Sequence, residues 1–251
     1  MGSDTTLDAF LGGRLTLEQP VRGYRAGVDP VLLAAAVPAR AGQSVLELGC
    51  GTGAALLCLG RRVPGLHLHA VELQPAYAAL ARANAARNAI PATIHTADLR
   101  DLPDDLRQTT FDHVMANPPY FDRTQGDASP LPDRDLAFAG DTDLADWIDT
   151  ATRRLKPKGR LTLIQKATRM MDVIRAMDHR LGSVTVIPLS GRAGRDADRF
   201  LLQAIKGGKA PFTLKAPVHL HAGDAHLRDG EDYRPEIAAV LRNGAAFPTS
   251  D

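Results

Sequence analysis

The chain has 251 residues, of which 44% are hydrophobic and 24% are charged, and its formal net charge is +1. That length allows one large domain or two small ones with a buried core, and the composition is ordinary for a globular protein. No apolar run approaches the roughly 20 residues that cross a bilayer, and no charged-then-apolar leader precedes residue 10. The two cysteines, Cys50 and Cys58, are predicted to be reduced thiols. These features predict a cytoplasmic protein.

The small net charge conceals a segregation of charge along the chain. Residues 96–150 contain 13 Asp and 4 Arg, a local charge of −9, whereas residues 151–215 contain 15 Lys or Arg and 4 Asp, a local charge of +11. Such a segregation can give a neutral protein a basic face that suits a polyanion such as RNA. Neighbours in sequence need not share a face, so the charges alone leave both an RNA surface and a merely solvated surface open.

The first 40 residues contain a turn at Gly12-Gly13 and an apolar stretch, 30–37, that predicts a helix. This segment is too short to fold alone, and so are residues 207–251, which contain a short strand at 218–220 and an amphipathic helix at 235–242. We therefore predict a single domain over residues 1–251, with an N-terminal extension (1–40), a core (41–206) and a C-terminal extension (207–251).

The core alternates short apolar runs with helical stretches. Strands are predicted at residues 44–48, 66–71, 93–96, 111–116, 160–164, 184–188 and 200–205. Helices are predicted at residues 54–62, 75–88, 144–155 and 168–179. This alternation is typical of an α/β fold in which helices cover both faces of a parallel sheet. The last two strands are joined by a short loop, so we expect them to pair antiparallel at one edge.

A glycine-rich turn, which spans residues 49–53, follows the first core strand. Gly49, Gly51 and Gly53 lack a Cβ and let a ligand approach the backbone, and Cys50 lies within the same turn. The pattern alone overlaps with a dinucleotide site. Glu47 stands inside the motif, where it would repel a pyrophosphate but attract a sulfonium and an α-amino group. The turn therefore favours S-adenosylmethionine as the cofactor.

Two further acidic residues follow the next two strands. Glu72 ends the second strand, 23 residues after Gly49, where it can bind ribose hydroxyls; Leu73 beside it belongs to the same predicted site. Asp98 follows the third strand and can accept from an adenine amino group, and Leu99 can supply a backbone N–H. Any one of these acids could be a helix cap or a solvated carboxylate. An acid at each of three strands favours S-adenosylmethionine over NAD.

The sequence Asn117-Pro118-Pro119-Tyr120 stands at the end of the fourth core strand. The side-chain oxygen of Asn117, which is also placed beside the cofactor, and the carbonyl of Pro118 can both accept from a planar –NH2 group, which points its lone pair at a methyl donor. Pro118 and Pro119 fix the backbone. Tyr120 offers a ring on which a base can stack, and Phe121 can assist. Alone, the motif would indicate only a proline-rich turn.

The segment 121–140 is polar and irregular, so we predict either a substrate lid or a disordered loop. Basic residues near the same sheet edge are candidates for phosphate contacts. They are Lys166, Arg169, Arg192, Arg195 and Arg199. The eight histidines form no persuasive metal set, and His219 and His221 are predicted to be a solvated pair. We expect no metal.

These motifs resemble the class I S-adenosylmethionine-dependent methyltransferases that act on amino groups. The N-terminal pieces Leu11-Gly12-Gly13-Arg14, Gln19-Pro20 and Gly23-Tyr24-Arg25, together with residues 28–34, 206–209 and 233–242, are similar to the bacterial tRNA1(Val) adenine N6-methyltransferase family. The resemblance implies a Rossmann-like, seven-stranded, mostly parallel sheet with one antiparallel edge strand.

The resemblance also carries roles and a substrate. It implies a purine beside the anticodon of a valine tRNA as the substrate. It implies cofactor roles for Gly49, Gly51, Glu72 and Asp98, and a catalytic role for Asn117 through Tyr120. The oligomeric state, monomer or homodimer, is left open.

Three alternatives remain. Enzymes that methylate a glutamine side chain of a protein also use Asn-Pro-Pro-Tyr, but they usually carry a helical domain before the core, and the first 40 residues leave little room for one. Methylation of guanine N2 in rRNA or of adenine in DNA is a second alternative, although no separate target-recognition domain is evident. A non-catalytic RNA-binding protein is the third, and the presence of both Asp98 and Asn117 argues against it.

Overall fold

The computed structural model describes residues 4–119, 142–223 and 232–248. The chain begins with an antiparallel hairpin of two strands, β1 (Thr5–Phe10) and β2 (Leu15–Pro20). The hairpin turns at the expected glycine pair, where Gly12 and Gly13 have φ of +64° and +88°, a conformation that favours glycine. The sequence analysis missed β1 because its polar and partly exposed residues show no clear alternation.

The remaining strands form one mixed sheet. Their bounds are β3 (Ser44–Leu48), β4 (His67–Glu72), β5 (Ala92–Thr96), β6 (Phe111–Ala116), β7 (Leu155–Lys166), β8 (Leu181–Ser190), β9 (Ala197–Lys206), β10 (Thr213–Leu214) and β11 (Val218–His219). The helices are α1 (Val28–Ala36), α2 (Ala54–Arg62), α3 (Pro75–Arg87), α4 (Asp104–Gln108), α5 (Leu144–Arg154), α6 (Met170–Ala176) and α7 (Pro235–Asn243).

The strand order is β10-β8-β9-β7-β6-β3-β4-β5, and β11 also pairs with β8. The predicted Rossmann-like, mostly parallel sheet is confirmed, and so is the antiparallel pairing of β8 with β9. Two details differ from the prediction. The antiparallel strand is β9, which lies between β7 and β8 rather than at the edge, because the α6 crossover carries the chain one position beyond β7. Among the described residues, the short strands β10 and β11 bring the sheet to nine strands.

The crossover helix α6 is shorter than the predicted helix over 168–179. A single 3-10 turn, Ala167–Arg169, precedes it, and the helix ends at Ala176. Asp178 ends it early, because its side chain accepts from the backbone N–H of Arg180 at 2.8 Å. Such side-chain hydrogen bonds compete with the helical pattern.

The sheet is covered by apolar residues on both faces. Neighbouring residues of β3 point to opposite sides, so Val45 and Leu46 belong to two different buried clusters. One cluster joins α1, α2 and α3 with Leu15 of the N-terminal hairpin and Ile237 of α7. The other joins α4, α5 and α6, with Trp147 among its members. Both extensions thus pack on the core, and the division of the chain into three parts stays a prediction.

The carboxyl ends of the parallel strands meet at one edge of the sheet, where ligands bind in such folds. Leu48 of β3 pairs with Val71 of β4 on one side and with Ala116 of β6 on the other. Ala116 in turn pairs with Leu163 of β7. The glycine-rich residues 49–53 therefore lie between the end of β4 and Asn117. Within the described ranges, every helix falls short of the length and apolarity of a membrane span.

Candidate active site

The glycine turn (residues 49–53) has a backbone that other residues rarely adopt. Gly49, Gly51 and Gly53 have φ of +64°, +54° and +84°, the left-handed region that favours glycine. A Cβ on Gly49 would lie 2.4 Å from the indole ring of Trp147 in α5. The backbone N–H of Gly49 donates to the carbonyl of Val71 at 2.8 Å. The turn is thus held against β4 on one side and against α5 on the other.

Glu47 is buried before the turn. Its Oε2 accepts from the backbone N–H of Leu56, in the first turn of α2, at 2.9 Å. Burial raises the pKa of this carboxyl well above its ordinary value, and the hydrogen bond from Leu56 opposes the increase. Glu47 therefore satisfies one backbone donor at the start of a helix. Its predicted contact with a sulfonium or an α-amino group stays a prediction.

Glu72, at the end of β4, ties the turn to its own strand. Its Oε2 accepts from the N–H of Gly51 at 2.7 Å, and its Oε1 accepts from the N–H of Gln74 at 2.9 Å. Burial raises the pKa of Glu72, and hydrogen bonds from Gln74, Gly51 and Leu73 counter that increase. A carboxylate offers about four acceptor positions, so Glu72 can still accept from ribose hydroxyls, as predicted.

Asp98 and Leu99 follow β5 and have partners within the protein. The Nη2 of Arg100 donates to Asp98 Oδ2 at 2.7 Å, and hydrogen bonding from Arg100 lowers the pKa of Asp98. The carbonyl of the buried Leu99 accepts from Thr150 Oγ1 at 3.1 Å. An adenine amino group would have to share Asp98 with Arg100, and the adenine contact stays a prediction.

The acceptor motif, residues 117–119, begins where β6 ends. The Oδ1 of Asn117 is buried and has no hydrogen-bond partner among the described residues. A buried acceptor left unsatisfied costs roughly 1–3 kcal/mol, so this oxygen favours any donor that can reach it. The carbonyl of Pro118 accepts from Gln165 Nε2 at 3.1 Å. Pro119 is partly buried, whereas Tyr120 and Phe121, and the predicted loop after them, lie outside the described residues.

Tyr24 connects the glycine turn with the acceptor motif, and the sequence analysis gave it no role. Its Cε1 lies 3.6 Å from the position that a Cβ on Gly51 would occupy. Its hydroxyl lies 3.5 Å from Asn117 Nδ2, which donates to it. Tyr24 as a whole residue is 46% exposed, but burial of the hydroxyl and then the nearby Glu47 raise the pKa of Tyr24 to about 12. The glycine turn and the acceptor motif are therefore close enough for the side chain of Tyr24 to reach both.

The predicted phosphate-binding residues differ in how they are placed. Lys166 and Arg195 are exposed at the carboxyl edge of the sheet. Arg169 forms an ion pair with Asp172 at 2.8 Å, and Arg199 forms one with Asp29 at 2.8 Å. Arg169 and Arg199 thus each have a carboxylate partner, and all of the predicted phosphate contacts stay predictions.

Arg192 has a structural setting of its own. Its guanidinium donates to Asp232 and to the carbonyl of Ala222, which links β8 to the C-terminal extension. Arg192 is thus engaged within the protein, and its phosphate contact stays a prediction. Nearby, His219 Nδ1 lies 2.6 Å from Ser190 Oγ, and His221 Nδ1 lies 2.6 Å from Asp232 Oδ1. Across the ranges that the structure describes, no cluster of His, Cys, Asp and Glu is arranged to hold a metal ion.

S-adenosylmethionine fits this set of residues. Gly49 and Gly51 are only partly buried, so some of the backbone of the glycine turn is accessible to a ligand. Glu72 stands at the end of β4 with acceptor capacity remaining, and the unsatisfied Asn117 Oδ1 lies beside the turn. A pyrophosphate, in contrast, would lie beside the buried carboxyl group of Glu72, which accepts from the N–H of Gly51.

Comparisons with known proteins agree with this geometry. A family model described as "Methyltransferase small domain" matches residues 26–192. The chain is 33% identical over 187 residues to a tRNA1(Val) (adenine(37)-N6)-methyltransferase of Aeromonas hydrophila. The aligned segment covers 73% of this chain and 77% of the relative. It is 31% identical over 232 residues to a protein of the same name from Porphyromonas gingivalis, with coverages of 86% and 89%.

Solved structures share the fold. A predicted O-methyltransferase from Agrobacterium tumefaciens aligns with a TM-score of 0.70 and 28% identity, over 87% of this chain and 98% of the other. A 16S rRNA guanine-N2 methyltransferase from Thermus thermophilus, solved with AdoMet and guanosine, aligns with a TM-score of 0.58 and 21% identity, over 80% of this chain and 50% of the other. The latter likeness concerns the fold alone.

Proposed function

The chain belongs to the methyltransferase small domain family, and on that premise we propose that it methylates the N6 amino group of an adenine in tRNA, beside the anticodon of a valine tRNA. Membership of the family confirms three predictions: the class I fold, methyltransferase activity, and S-adenosylmethionine as the cofactor. The RNA substrate and the roles of individual residues are the content of the proposal.

One observation carries the choice of an amino group as acceptor. Asn117 Oδ1, which is buried and has no partner among the described residues, adjoins the Pro118 carbonyl at the end of β6. An exocyclic amine has two N–H donors, and these two oxygens would accept one each. A hydroxyl has a single donor, and it needs a base or a metal to become a nucleophile. The pair of oxygens thus favours N-methylation over the O-methylation that the name of the Agrobacterium relative suggests.

The residues of the motif would prepare the amine for attack. Bound S-adenosylmethionine supplies an electrophilic methyl group on a sulfonium sulfur. The Asn117 and Pro118 oxygens hold the two amine hydrogens out of the plane of the base, so that the nitrogen lone pair leaves the ring system and faces the methyl. The same oxygens stabilise the positive charge that develops on the nitrogen. The methylated nitrogen is acidic and releases its proton to solvent, so no strong base is required.

The cofactor would be held by the glycine turn and the acids around it. The partly exposed backbone at Gly49 and Gly51 would contact its amino-acid end, while Glu72 would accept from the ribose hydroxyls. Asp98 would accept from the adenine amino group while sharing its carboxylate with Arg100. Exposed Lys166 and Arg195, at the same sheet edge, would contact tRNA phosphates, a type of contact that weakens with salt.

The test is to identify the labelled product. The protein is incubated with methyl-labelled S-adenosylmethionine and, separately, with an unmodified valine tRNA transcript, duplex DNA, rRNA and a release-factor protein. The proposal predicts N6-methyladenosine from the transcript alone, and no product when the target adenine is replaced by guanine. Label in glutamine, N2-methylguanine or a ribose oxygen would overturn it. Filter binding of the same transcript to Arg195→Ala at several salt concentrations tests the phosphate contact, which predicts weaker binding and a flatter salt dependence.

A further inference from the structure

Gln165 is a polar side chain with no exposed surface, at the end of the apolar strand β7. Burying an amide is costly unless its hydrogen bonds are made. The strand register explains its place: Ala116 of β6 pairs with Leu163 of β7, so Pro118 and Gln165 are each two residues further along. The predicted strand ended at residue 164 and so excluded Gln165. The position of a polar residue directly after the apolar end of a strand could have indicated that Gln165 has a specific role.

Both ends of the Gln165 amide are engaged. Its Oε1 accepts from the backbone N–H of Lys166 at 2.8 Å, and its Nε2 donates to the carbonyl of Pro118 at 3.1 Å. The first contact fixes which end of the amide faces Pro118, because a rotated amide would place one oxygen against another. Since the side chain is fully enclosed, water cannot replace either contact. The Pro118 carbonyl is therefore held by the core of the protein.

We propose that Gln165 is a positioning residue for methyl transfer, which holds the Pro118 carbonyl where it can accept one hydrogen of the target amine. The carbonyl oxygen has two lone pairs, so one can bind Gln165 while the other binds the substrate. This inference rests on the proposed function, because it assigns Gln165 to the acceptor side of the same reaction. It distinguishes Gln165 from a residue that merely stabilises the fold, because it predicts an effect on turnover rather than on cofactor binding.

Gln165→Met is the first test, because it keeps the length of the side chain and removes the donor. A misplacement of about 1 Å can cost about 100-fold in rate, so we expect kcat to fall between about 10-fold and 100-fold. The dissociation constant for S-adenosylhomocysteine should stay within about twofold of the unaltered protein. An unchanged kcat, or a loss of cofactor binding in step with activity, would overturn the proposal.

Gln165→Glu is the second test, because a protonated glutamic acid can reproduce both contacts. Its O–H would donate to Pro118, while its other oxygen would accept from Lys166. Once ionised, the carboxylate has no donor and repels the Pro118 carbonyl. Burial favours the protonated form, so kcat of this variant should be highest at low pH and fall as pH rises. A pH profile that runs parallel to that of the unaltered protein would sink the proposal.

Gln203 supplies a matched control. It lies on the adjacent strand β9, and its Nε2 donates to the carbonyl of Ala36 at 2.6 Å, away from the acceptor motif. Gln203→Met and Gln203→Glu should leave kcat and its pH profile unchanged. The unaltered protein separates the two proposals: if it methylates no tRNA adenine, the proposed function fails. If it does, and the Gln165 variants behave like the Gln203 variants, only the present inference fails.

Discussion

The acids beside the glycine turn (residues 49–53) and the Asn117 amide of the acceptor motif (residues 117–119) differ in whether their oxygens already have partners. Glu47 and Glu72, which flank the turn, both accept from backbone N–H groups. In the acceptor motif, the Oδ1 of Asn117 is buried with no partner among the described residues. The two acids thus hold backbone groups of the protein itself, whereas Asn117 Oδ1 gains a partner only when a donor arrives. Substitutions in the turn should therefore affect stability and cofactor binding, and substitutions in the motif should affect turnover.

The largest effect is expected for Asn117→Ala. Loss of one preorganised group at such a site typically costs about 100-fold to 1,000-fold in kcat. The melting temperature should fall only slightly, because Oδ1 has no partner among the described residues and the hydrogen bond from Nδ2 to the Tyr24 hydroxyl is long, at 3.5 Å. Asn84→Ala is the control: this buried asparagine donates to the carbonyls of Glu18 and Thr52, so its removal should lower the melting temperature. Equal destabilisation by both substitutions would contradict the difference between the two regions.

Glu72→Ala is expected to have the next largest effect, on cofactor binding rather than on kcat. It leaves the N–H groups of Gly51 and Gln74 without their acceptor, at a cost of roughly 1–3 kcal/mol for each group that stays buried. Calorimetric titration with S-adenosylhomocysteine should show weaker binding, and the melting temperature should fall. Glu72→Gln retains one acceptor oxygen, so its cofactor affinity and melting temperature should lie between those of Glu72→Ala and the unaltered protein. Normal affinity in Glu72→Ala would show that the turn does not depend on this carboxylate.

Glu47→Gln should change how stability depends on pH. Burial raises the pKa of Glu47 above its ordinary 4.5, so at intermediate pH the folded protein retains a proton that the unfolded chain has lost. The stability of the unaltered protein therefore decreases as pH rises from the unfolded pKa through the folded pKa. The variant lacks this decrease but keeps an acceptor for Leu56. Its melting temperature should rise relative to the unaltered protein between about pH 5 and pH 8, and parallel curves would refute the assignment.

The smallest effect is expected for Tyr24→Phe. The substitution removes the hydroxyl that lies 3.5 Å from Asn117 Nδ2 but keeps the ring beside Gly51. One hydrogen bond contributes about 0.5–1.5 kcal/mol, so kcat should fall about 2-fold to 12-fold with unchanged cofactor affinity. Tyr24→Ala should weaken cofactor binding as well. Tyr233→Phe, whose ring stacks on His221, serves as the control and should match the unaltered protein in both measurements.

The fold was largely predictable because its signals are local. The alternation of apolar runs and helical stretches predicted the strands from β3 to β9 in their order along the chain. The motifs lie at the ends of these strands. The position of β9 inside the sheet was not predictable, because it depends on how far the α6 crossover reaches. The strands β10 and β11 have two residues each, too few to produce a periodic pattern.

The position of the site motifs at strand ends was predictable, but the residues that pack around these motifs were not. The positions of Glu72 and Asn117 at strand ends agree with the prediction, whereas their roles stay predictions. Tyr24, Trp147 and Gln165 were missed because each reaches the site across a long sequence separation, and Gln165 alone had a local signal. Arg192 pairs with Asp232 in the C-terminal extension, a tertiary contact that a charge count cannot reveal, and its phosphate contact stays a prediction.

The most direct test of the account is a crystal structure of the protein with S-adenosylhomocysteine and an RNA that contains the target adenine. The account predicts that the adenine N6 lies within about 2.7–3.2 Å of both Asn117 Oδ1 and the Pro118 carbonyl oxygen, with its free side toward the cofactor sulfur. An adenine whose N6 contacts neither oxygen, or an Asn117 whose Oδ1 binds the cofactor instead, would contradict it.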